Sequence, residues 1–388
     1  TEIFKKKKCG RFLWNTVYNS VIDSSVKDSL KQRVADCSVG GLGLCVTTGD
    51  VAAACAKQKF RKTVGLDNIA MEAFMYGCHR LYVHLCLLFN LFLKFGYVPD
   101  LFMKCLIIPL VKCKTGSLSD VNNYRAIAIS TAISKLFECI LLAYVKTEVS
   151  ADAYQFGFTA GHSTGLCTDV FKRTVDYYRS RGSHVFACFI DFSKAFDRVN
   201  YWKLFHKLLD DGTNVDIVKL LAYWYSKQQA CVRWHNCLSQ FFSLGNGTRQ
   251  GGVMSPWFFA RYIRELITEI VRSKVGCNVG GVFVNILAYA DDIVLIAPSW
   301  RGLQNLLDVC VGQSSKIDME LNMRKSVCMV FSPCDRSKIV ATSFPMFCVG
   351  NDSLQFVSSF KYLGHRIMNN NADDADIQRE IYNMFFSY

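Results

Sequence analysis

Two adjacent carboxylates, those of Asp291 and Asp292, could bind a metal ion and so support metal-dependent chemistry. They lie between two almost wholly apolar runs, residues 281–287 and 293–297. Such runs predict buried strands, and a tight turn between two strands is a place where a pair of charges can remain hydrated. The sequence therefore predicts a β-hairpin with both carboxylates at its turn. The alternative is an ordinary turn, since Asp favours turns in any case.

A third carboxylate ends another apolar run about a hundred residues earlier. Residues 184–190 predict a buried strand, and Asp191 follows them at once. If this strand lies beside the hairpin, Asp191, Asp291 and Asp292 form a cluster that divalent cations would neutralise. Ligands that are all oxygen favour Mg²⁺ or Mn²⁺ over zinc. Two such ions are the usual apparatus of in-line phosphoryl transfer.

Eight short blocks occur in a fixed order between residues 61 and 367. They are KTVGLD (62–67), NYRAIAIS (123–130), QFGF with GHST (155–158 and 161–164), FIDFSKAFD (189–197), GTRQGGVMSP (247–256), YADD (289–292), LNMRKS (321–326) and FKYLGH (360–365). Their order and spacing resemble those of the reverse transcriptases, and in detail those of non-LTR (LINE-type) retrotransposons. Each block alone is a weak signal, whereas eight in the family's order are specific.

The resemblance implies an α+β fold, the polymerase right hand, with an antiparallel palm sheet packed on helices. Residues 1–60 would be a basic lead-in, 61–185 the fingers and 186–367 the palm with the Asp cluster. Residues 368–388 would begin a truncated thumb, so that the thumb is largely missing. The chain is then expected to be a fragment of the element's polyprotein or a decayed copy of it.

The resemblance also implies catalytic roles. Asp191 and Asp291 would hold two Mg²⁺ (or Mn²⁺) ions, and Asp292 would support the metal site. Lys325 resembles the family lysine near the departing pyrophosphate, where a cation or proton donor stabilises developing charge. A solvated surface lysine is the alternative for Lys325.

A nucleotide site is implied by four further residues. Arg125 would contact the triphosphate, since its fork geometry suits phosphate; a surface salt bridge is the alternative. Phe196 would lie under the sugar and clash with a 2′-hydroxyl, unless it is one more core ring. Gln250 would offer its amide to nucleotide or template, and Gly251 lets the backbone approach closely. A plain Gly-rich turn is the alternative for this pair.

Tyr362, Leu363 and Gly364 resemble the hairpin that grips the primer, although a purely structural hairpin would have the same pattern. Two positions depart from the family. Thr159 replaces the usual basic residue, which weakens the expected contact with template or nucleotide. Asn68 stands where Gly is usual.

Composition agrees with a folded, nucleic-acid-binding protein. With 388 residues, 51% of them hydrophobic, the chain can bury a substantial core and is not disordered. Lys plus Arg exceed Asp plus Glu by 13, which suits a polyanionic partner. Charge alone does not separate nucleic acid from an acidic membrane. The apolar run 81–95 is too short and interrupted for a membrane span, so no membrane partner is expected.

The 18 cysteines form no Cys-x-x-Cys pair and are scattered through apolar segments. They are typical of reduced thiols in an intracellular protein, here expected in nucleus and cytoplasm. The basic run 5–8 is either a nuclear-import signal, a phosphate-contacting tail or simply a solvated charge run. Cys78, His79, His84 and Cys86 have irregular spacing, which favours a core helix over a zinc site.

These observations predict an RNA-directed DNA polymerase whose partners are an RNA template, a DNA primer and deoxynucleotides. The first alternative is a group II intron maturase-like reverse transcriptase, against which the FKYLGH block and the missing maturase domain argue. The second is a degenerate copy that binds RNA without copying it. The intact carboxylates oppose that alternative, whereas Thr159 and the missing thumb favour it. The oligomeric state is left open.

Overall fold

The computed structural model describes residues 24–37, 43–146 and 153–386. The basic run 5–8 lies outside these residues. The helices are α1 (Ser24–Asp36), α2 (Thr48–Ala56), α3 (Glu72–Met75), α4 (His79–Phe95), α5 (Asp100–Met103), α6 (Ala132–Lys146), α7 (Thr164–Ser180), α8 (Ala195–Arg198), α9 (Tyr201–Asp210), α10 (Val215–Ser226), α11 (Ser255–Arg272), α12 (Trp300–Lys316) and α13 (Asp374–Phe386). The strands are β1 (Lys104–Val111), β2 (Tyr124–Ile129), β3 (Val185–Ile190), β4 (Gln229–Trp234), β5 (Cys237–Leu238), β6 (Phe242–Ser243), β7 (Asn278–Val279), β8 (Val282–Phe283), β9 (Ile286–Tyr289), β10 (Asp292–Ala297), β11 (Val327–Phe331), β12 (Phe347–Val349), β13 (Asp352–Phe356), β14 (Ser359–Tyr362) and β15 (His365–Met368).

The chain forms two compact units, and each is discontinuous in sequence. Within the described residues, the first unit comprises those up to 146 together with 196–261, and the second comprises 153–195 together with 262–386. These units cut across the predicted boundaries at 185 and 186. Residues 153–185 belong with the sheet that carries the Asp residues, whereas residues 196–261 belong with the first unit.

The first unit is built on a sheet whose central strand is β1. Strand β1 pairs with β2 in antiparallel and with β4 in parallel, and β5 and β6 both pair with β4. Apolar side chains fill both faces of the sheet, which is why its strands read as continuous apolar runs. Beside it, Phe137 of α6 stacks on Phe89 of α4 at 4.7 Å and on Trp224 of α10 at 6.1 Å, so that aromatic rings join these helices.

The second unit is built on a sheet with the strand order β12-β13-β11-β3-β10-β9. Strand β3 lies inside it, is buried at every position and is antiparallel to both neighbours. Helix α7 packs on one face, where Phe171 contributes to a core with Phe189 and Val294. Helix α12 packs against β3, β10 and β12 of the same sheet. The pairing is antiparallel except between β11 and β13.

Several predicted elements are confirmed, and one is wrong. The runs 184–190 and 293–297 form β3 and β10, and the mixed α+β character is confirmed. The run 281–287 is not one buried strand, because β8 and β9 are separate and Val282 is 59% exposed. The break falls at Asn285, whose buried amide donates to the carbonyls of Ile270 and Val275. The chain bends at this residue, and the two carbonyls satisfy the buried NH2 group of its side chain. In the described part of the chain, every helix is too short or too polar to cross a bilayer.

Candidate active site

The hairpin predicted around the two adjacent carboxylates is formed by β9 and β10. Tyr289 pairs with Asp292, so Ala290 and Asp291 make a two-residue turn. Ala290 has a φ of 58°, in the left-handed region, whereas Asp291 does not. Gly normally takes such a position in a hairpin turn, and a residue with a Cβ is strained there. The turn that carries the carboxylates therefore needs support from its surroundings.

Asp191 lies at the same edge of the sheet. The antiparallel pairing of β3 with β10 ends with Ile190 opposite Ile293, so the next residues, Asp191 and Asp292, face each other. The pKa of Asp292 rises from 3.8 to about 6, first because protein atoms deprive its carboxyl of hydration and then because of the charges of Asp291 and Asp191. The side chain nevertheless reaches solvent at this edge. The three carboxylates thus share one electrostatic neighbourhood.

The oxygen donors of these carboxylates suit a hard divalent cation, although they are not arranged as a complete set of metal ligands. Among residues 24–37, 43–146 and 153–386, no group of three or more His, Cys, Asp or Glu side chains is arranged to hold a metal ion. The same finding applies to Cys78, His79, His84 and Cys86, the residues considered for zinc. Repulsion between the carboxylates is what a bound cation would relieve, and oxygen donors are those that Mg²⁺ and Mn²⁺ prefer. The ligand roles of Asp191, Asp291 and Asp292 stay predictions.

The LNMRKS block is bonded to Asp191. The Asn322 backbone N–H donates to the Asp191 carbonyl at 2.8 Å, and the Asn322 amide donates to Asp191 Oδ2 at 3.0 Å. The Asp191 N–H in turn donates to Ser326 Oγ at 3.1 Å. The sequence predicts no role for Asn322 or Ser326, although both lie inside the LNMRKS block, which was a signal. Asn322 and Ser326 fix the position of Asp191, which directly follows β3.

Lys325 lies beside the same carboxylate. Its Nζ is 3.8 Å from Asp191 Oδ2, and its side chain is 67% exposed. An exposed pair at this distance contributes little to stability. This position places an exposed positive charge next to Asp191, and the predicted contact with pyrophosphate stays a prediction.

In the first unit, the backbone around Gln250 is fixed to strand β2. The Ala128 N–H donates to the Gln250 carbonyl at 2.7 Å. Gly251 has a φ of 105°, and a Cβ at this residue would lie 2.7 Å from the Ala128 oxygen. Only glycine allows this approach. The backbone of Gln250 and Gly251 therefore packs directly against the backbone of β2. The Gln250 side chain is half-buried.

A buried ion pair between Arg249 and Glu138 stabilises the same turn around Gln250. Arg249 Nη2 lies 2.6 Å from Glu138 Oε1, and Arg249 Nη1 donates to Ser130 Oγ at 2.9 Å. Glu138 Oε2 accepts from the Val253 N–H at 2.8 Å. The Arg249 guanidinium also lies 5.7 Å from the centre of the Trp224 ring. The sequence predicts no role for Glu138, because its partner Arg249 is more than a hundred residues away and spacing does not reveal the pair.

Arg125 and Phe196 also lie in the first unit. Arg125 is exposed on β2, three residues before Ala128. The Phe196 ring is half-buried and stacks on Phe259 with centroids 4.6 Å apart, and the Phe196 carbonyl accepts from the Thr248 N–H at 2.8 Å. One face of the Phe196 ring is therefore covered. Contacts of Arg125 with triphosphate and of Phe196 with the sugar stay predictions.

The predicted primer-gripping hairpin is formed by β14 and β15, with Leu363 and Gly364 at its turn. Tyr362 is only 3% exposed, and its hydroxyl lies 3.7 Å from Cys167 Sγ. It packs in the core with Phe189, with ring centroids 5.1 Å apart. The Tyr362 ring faces inwards, and the predicted primer contact of Tyr362 stays a prediction. Primer contact by Leu363 and Gly364 stays a prediction.

The two departures from the family have structural explanations. Asn68 has a φ of 55°, and Asn is among the few residues other than Gly that tolerate this conformation. The Thr159 hydroxyl donates to the Gln155 carbonyl at 2.9 Å. Thr159 thus closes a local turn.

Residues 113–367 match the family model described as reverse transcriptase (RNA-dependent DNA polymerase). The chain belongs to that family. It is 26% identical over 257 residues to the Retrovirus-related Pol polyprotein from type-2 retrotransposable element R2DM of Drosophila melanogaster, covering 65% of this chain and 24% of the relative. It is 24% identical over 332 residues to the RNA-directed DNA polymerase from mobile element jockey of Drosophila funebris, covering 82% of this chain and 35% of the relative.

A third relative is the Retrovirus-related Pol polyprotein from type-1 retrotransposable element R1 of Bradysia coprophila. The identity is 24% over 315 residues, which cover 79% of this chain and 30% of the relative. The chain thus spans 24–35% of the length of these three relatives. The predicted kinship with non-LTR retrotransposon reverse transcriptases is confirmed. Members of this family generally use divalent metal ions.

Proposed function

We propose that this chain catalyses RNA-templated DNA synthesis, as the reverse transcriptase part of a non-LTR retrotransposon protein. The observation that carries the proposal is the convergence of Asp191, Asp291 and Asp292 at one edge of the six-stranded sheet, within the segment that matches the family. The unit with this sheet acts as the palm of the polymerase. Its substrates are a DNA primer, an RNA template and deoxynucleotides.

The chain's own residues would prepare the site before substrate arrives. Asn322 and Ser326 fix Asp191 in one orientation, and preorganised charge is more effective in catalysis than charge that must reorient. Two Mg²⁺ or Mn²⁺ ions, when bound, supply activation of the attacking primer oxygen and stabilise charge on the leaving group. Lys325 is exposed and cationic, and it would neutralise or protonate the departing pyrophosphate.

The incoming nucleotide would be recognised by residues of the first unit. Arg125 would pair with triphosphate oxygens, and Phe196 would exclude a 2′-hydroxyl. Gln250 would present its amide, with its backbone held by Ala128, and Gly251 would leave room for the ligand. Leu363 and Gly364 would contact the primer from their turn. The surplus of 13 basic residues supports binding to nucleic acid, and we place this activity in nucleus and cytoplasm.

The test is extension of a labelled DNA primer by the purified chain, on an RNA template and on a DNA template of the same sequence. We expect Mg²⁺-dependent extension on RNA, abolished by EDTA. Binding of RNA that falls steeply with salt but is never followed by extension would identify the degenerate, RNA-binding alternative. Absence of both binding and extension would contradict any role in nucleic-acid synthesis.

A further inference from the structure

We propose that Gln155 is a positioning residue for the active-site turn: its side-chain amide holds Ala290 in the left-handed conformation and thereby aims Asp291 and Asp292. This inference rests on the proposed function, because it concerns how the catalytic carboxylates are held. All the residues involved belong to the second unit.

The contacts are made by a single buried amide. Gln155 is 2% exposed, and its Oε1 accepts from the Ala290 N–H at 2.9 Å and from the Gly157 N–H at 2.9 Å. Its Nε2 lies 3.4 Å from the Ala290 carbonyl, which completes a longer, weaker bond. Both polar backbone groups of the strained residue are thus satisfied by one side chain that is distant in sequence.

The segment around Gln155 is fixed to the hairpin by its own backbone. The Ala288 N–H donates to the Tyr154 carbonyl at 2.9 Å, and the Phe156 N–H donates to the Ala288 carbonyl at 2.7 Å. Gln155 is accordingly bridged to Ala288 in parallel, as a strand would be. This pairing places the Gln155 side chain next to Ala290 in the turn.

Gly157 allows the same segment to approach the turn. A Cβ on Gly157 would lie 2.3 Å from the Ala290 nitrogen and 3.0 Å from the Tyr289 carbonyl carbon. Contacts this close are not possible for a side chain, so residue 157 must be glycine for Gln155 to reach Ala290. The QFGF block, which had no assigned role beyond its family resemblance, is in this light a support for the YADD block.

The physical consequence concerns where the carboxylates point. Ala290 is 8% exposed, so without Gln155 its N–H would be buried and unpaired, which is costly. The turn would then tend to relax away from the left-handed conformation, which is strained for a residue with a Cβ. Because catalytic groups must be held to within a fraction of an ångström, we expect a tenfold to hundredfold slower chemical step.

If the Gln155 amide had only a structural role, its removal would destabilise the unit without affecting the turn. Removal of a second buried amide, that of Asn285, provides a matched control. Asn285 is fully buried, precedes β9 and donates to the carbonyls of Ile270 and Val275 at 2.9 and 2.8 Å. Asn285→Leu removes a buried amide from the far end of the same hairpin. Gln155→Met removes one from the turn while preserving side-chain length.

Two readouts separate these variants. The first is hydrogen exchange of the peptide spanning residues 288–293, which includes the Ala290 amide. The second is the Mn²⁺ concentration that gives half-maximal single-turnover primer extension. For Gln155→Met we expect at least tenfold faster exchange, a several-fold higher Mn²⁺ midpoint and a tenfold to hundredfold slower extension. Asn285→Leu should lower the melting temperature yet leave both readouts close to those of the parent.

Identical behaviour of the two variants, or unchanged exchange in Gln155→Met, would overturn the proposal. If Gln155→Met does not fold, Gly157→Ala provides the second test, because it displaces the turn while the amide remains, and parental exchange and extension in that variant would equally contradict it. If the parent chain itself does not extend primers, the proposed function fails. Hydrogen exchange at the turn still decides whether Gln155 holds Ala290.

Discussion

Asn322 and Asp191 are bonded twice: the Asn322 amide donates to Asp191 Oδ2 at 3.0 Å, and the Asn322 backbone N–H donates to the Asp191 carbonyl at 2.8 Å. The second bond keeps the two segments together, and the first orients the carboxylate. Lys325 approaches the same oxygen, at 3.8 Å. Orientation of Asp191 and attachment of the LNMRKS block are therefore separable by mutation.

Asn322→Ala should slow primer extension about tenfold, because it removes a hydrogen bond to a charged group worth about 1.5 kcal/mol and leaves the backbone bond in place. Single-turnover extension rates at saturating nucleotide measure this. Asn351→Ala, which truncates an exposed Asn, is the control. Equal rates for both variants would show that the amide does not orient Asp191.

The ionisation of Asp292 should make stability depend on pH. Its pKa is raised from 3.8 to about 6, so the folded protein keeps a proton that the unfolded chain has released. Without metal, the free energy of unfolding therefore falls as pH rises through this window. Asp292→Asn cannot ionise, so its stability relative to the parent should increase from about pH 4 to about pH 6 and then level off.

Urea denaturation of both proteins in EDTA at several pH values measures this difference, and other titrating groups cancel between them. A difference that is constant with pH would mean that the carboxylates are further apart or better hydrated than their contacts indicate.

Glu138→Gln should strongly destabilise the first unit. It leaves the Arg249 charge buried without its partner, since the two side chains are only 3% and 4% exposed. Loss of one partner of a buried pair costs about 3–5 kcal/mol. Glu269→Gln breaks the exposed pair with Arg272 and should cost at most about 1 kcal/mol. Equal denaturation midpoints for the two variants would contradict this account of the turn around Gln250.

Phe196→Ala should raise the incorporation of ribonucleotides relative to deoxynucleotides by about tenfold or more, because the clash with a 2′-hydroxyl disappears. Competition between the two nucleotide types in primer extension gives the ratio. Phe259→Leu is the matched control, since it removes the stacked neighbour while the Phe196 ring remains. If Phe196→Ala still extends with an unchanged ratio, the ring is only part of the core.

Local patterns predicted much of the second unit. The apolar runs before Asp191 and after Asp292 became β3 and β10, because strands covered on both faces have apolar side chains at every position. The order of the blocks predicted the family. Since the carboxylates end these strands, the pairing of β3 with β10 was sufficient to bring them to one edge.

Contacts between distant segments could not be predicted in this way. Gln155 and Ala290 are 135 residues apart, and Asn322 and Asp191 are 131 apart. Only the fold shows that each pair meets. The burial of Tyr362 could not be predicted either, because its block suggested a ligand contact whereas its ring fills the core. Neither periodicity nor composition reveals which side of a short hairpin faces inwards.

We propose that Asp291 takes part in templated DNA synthesis. The most direct test is single-turnover extension of a DNA primer on an RNA template with Mg²⁺. Asp291→Asn removes a charge without changing size. If the carboxylate supplies about 4 kcal/mol of transition-state stabilisation, the rate should fall about a thousandfold. Asp352→Asn, at an exposed site, should retain the parental rate. Equal extension by Asp291→Asn and the parent, with both folded, would contradict the account.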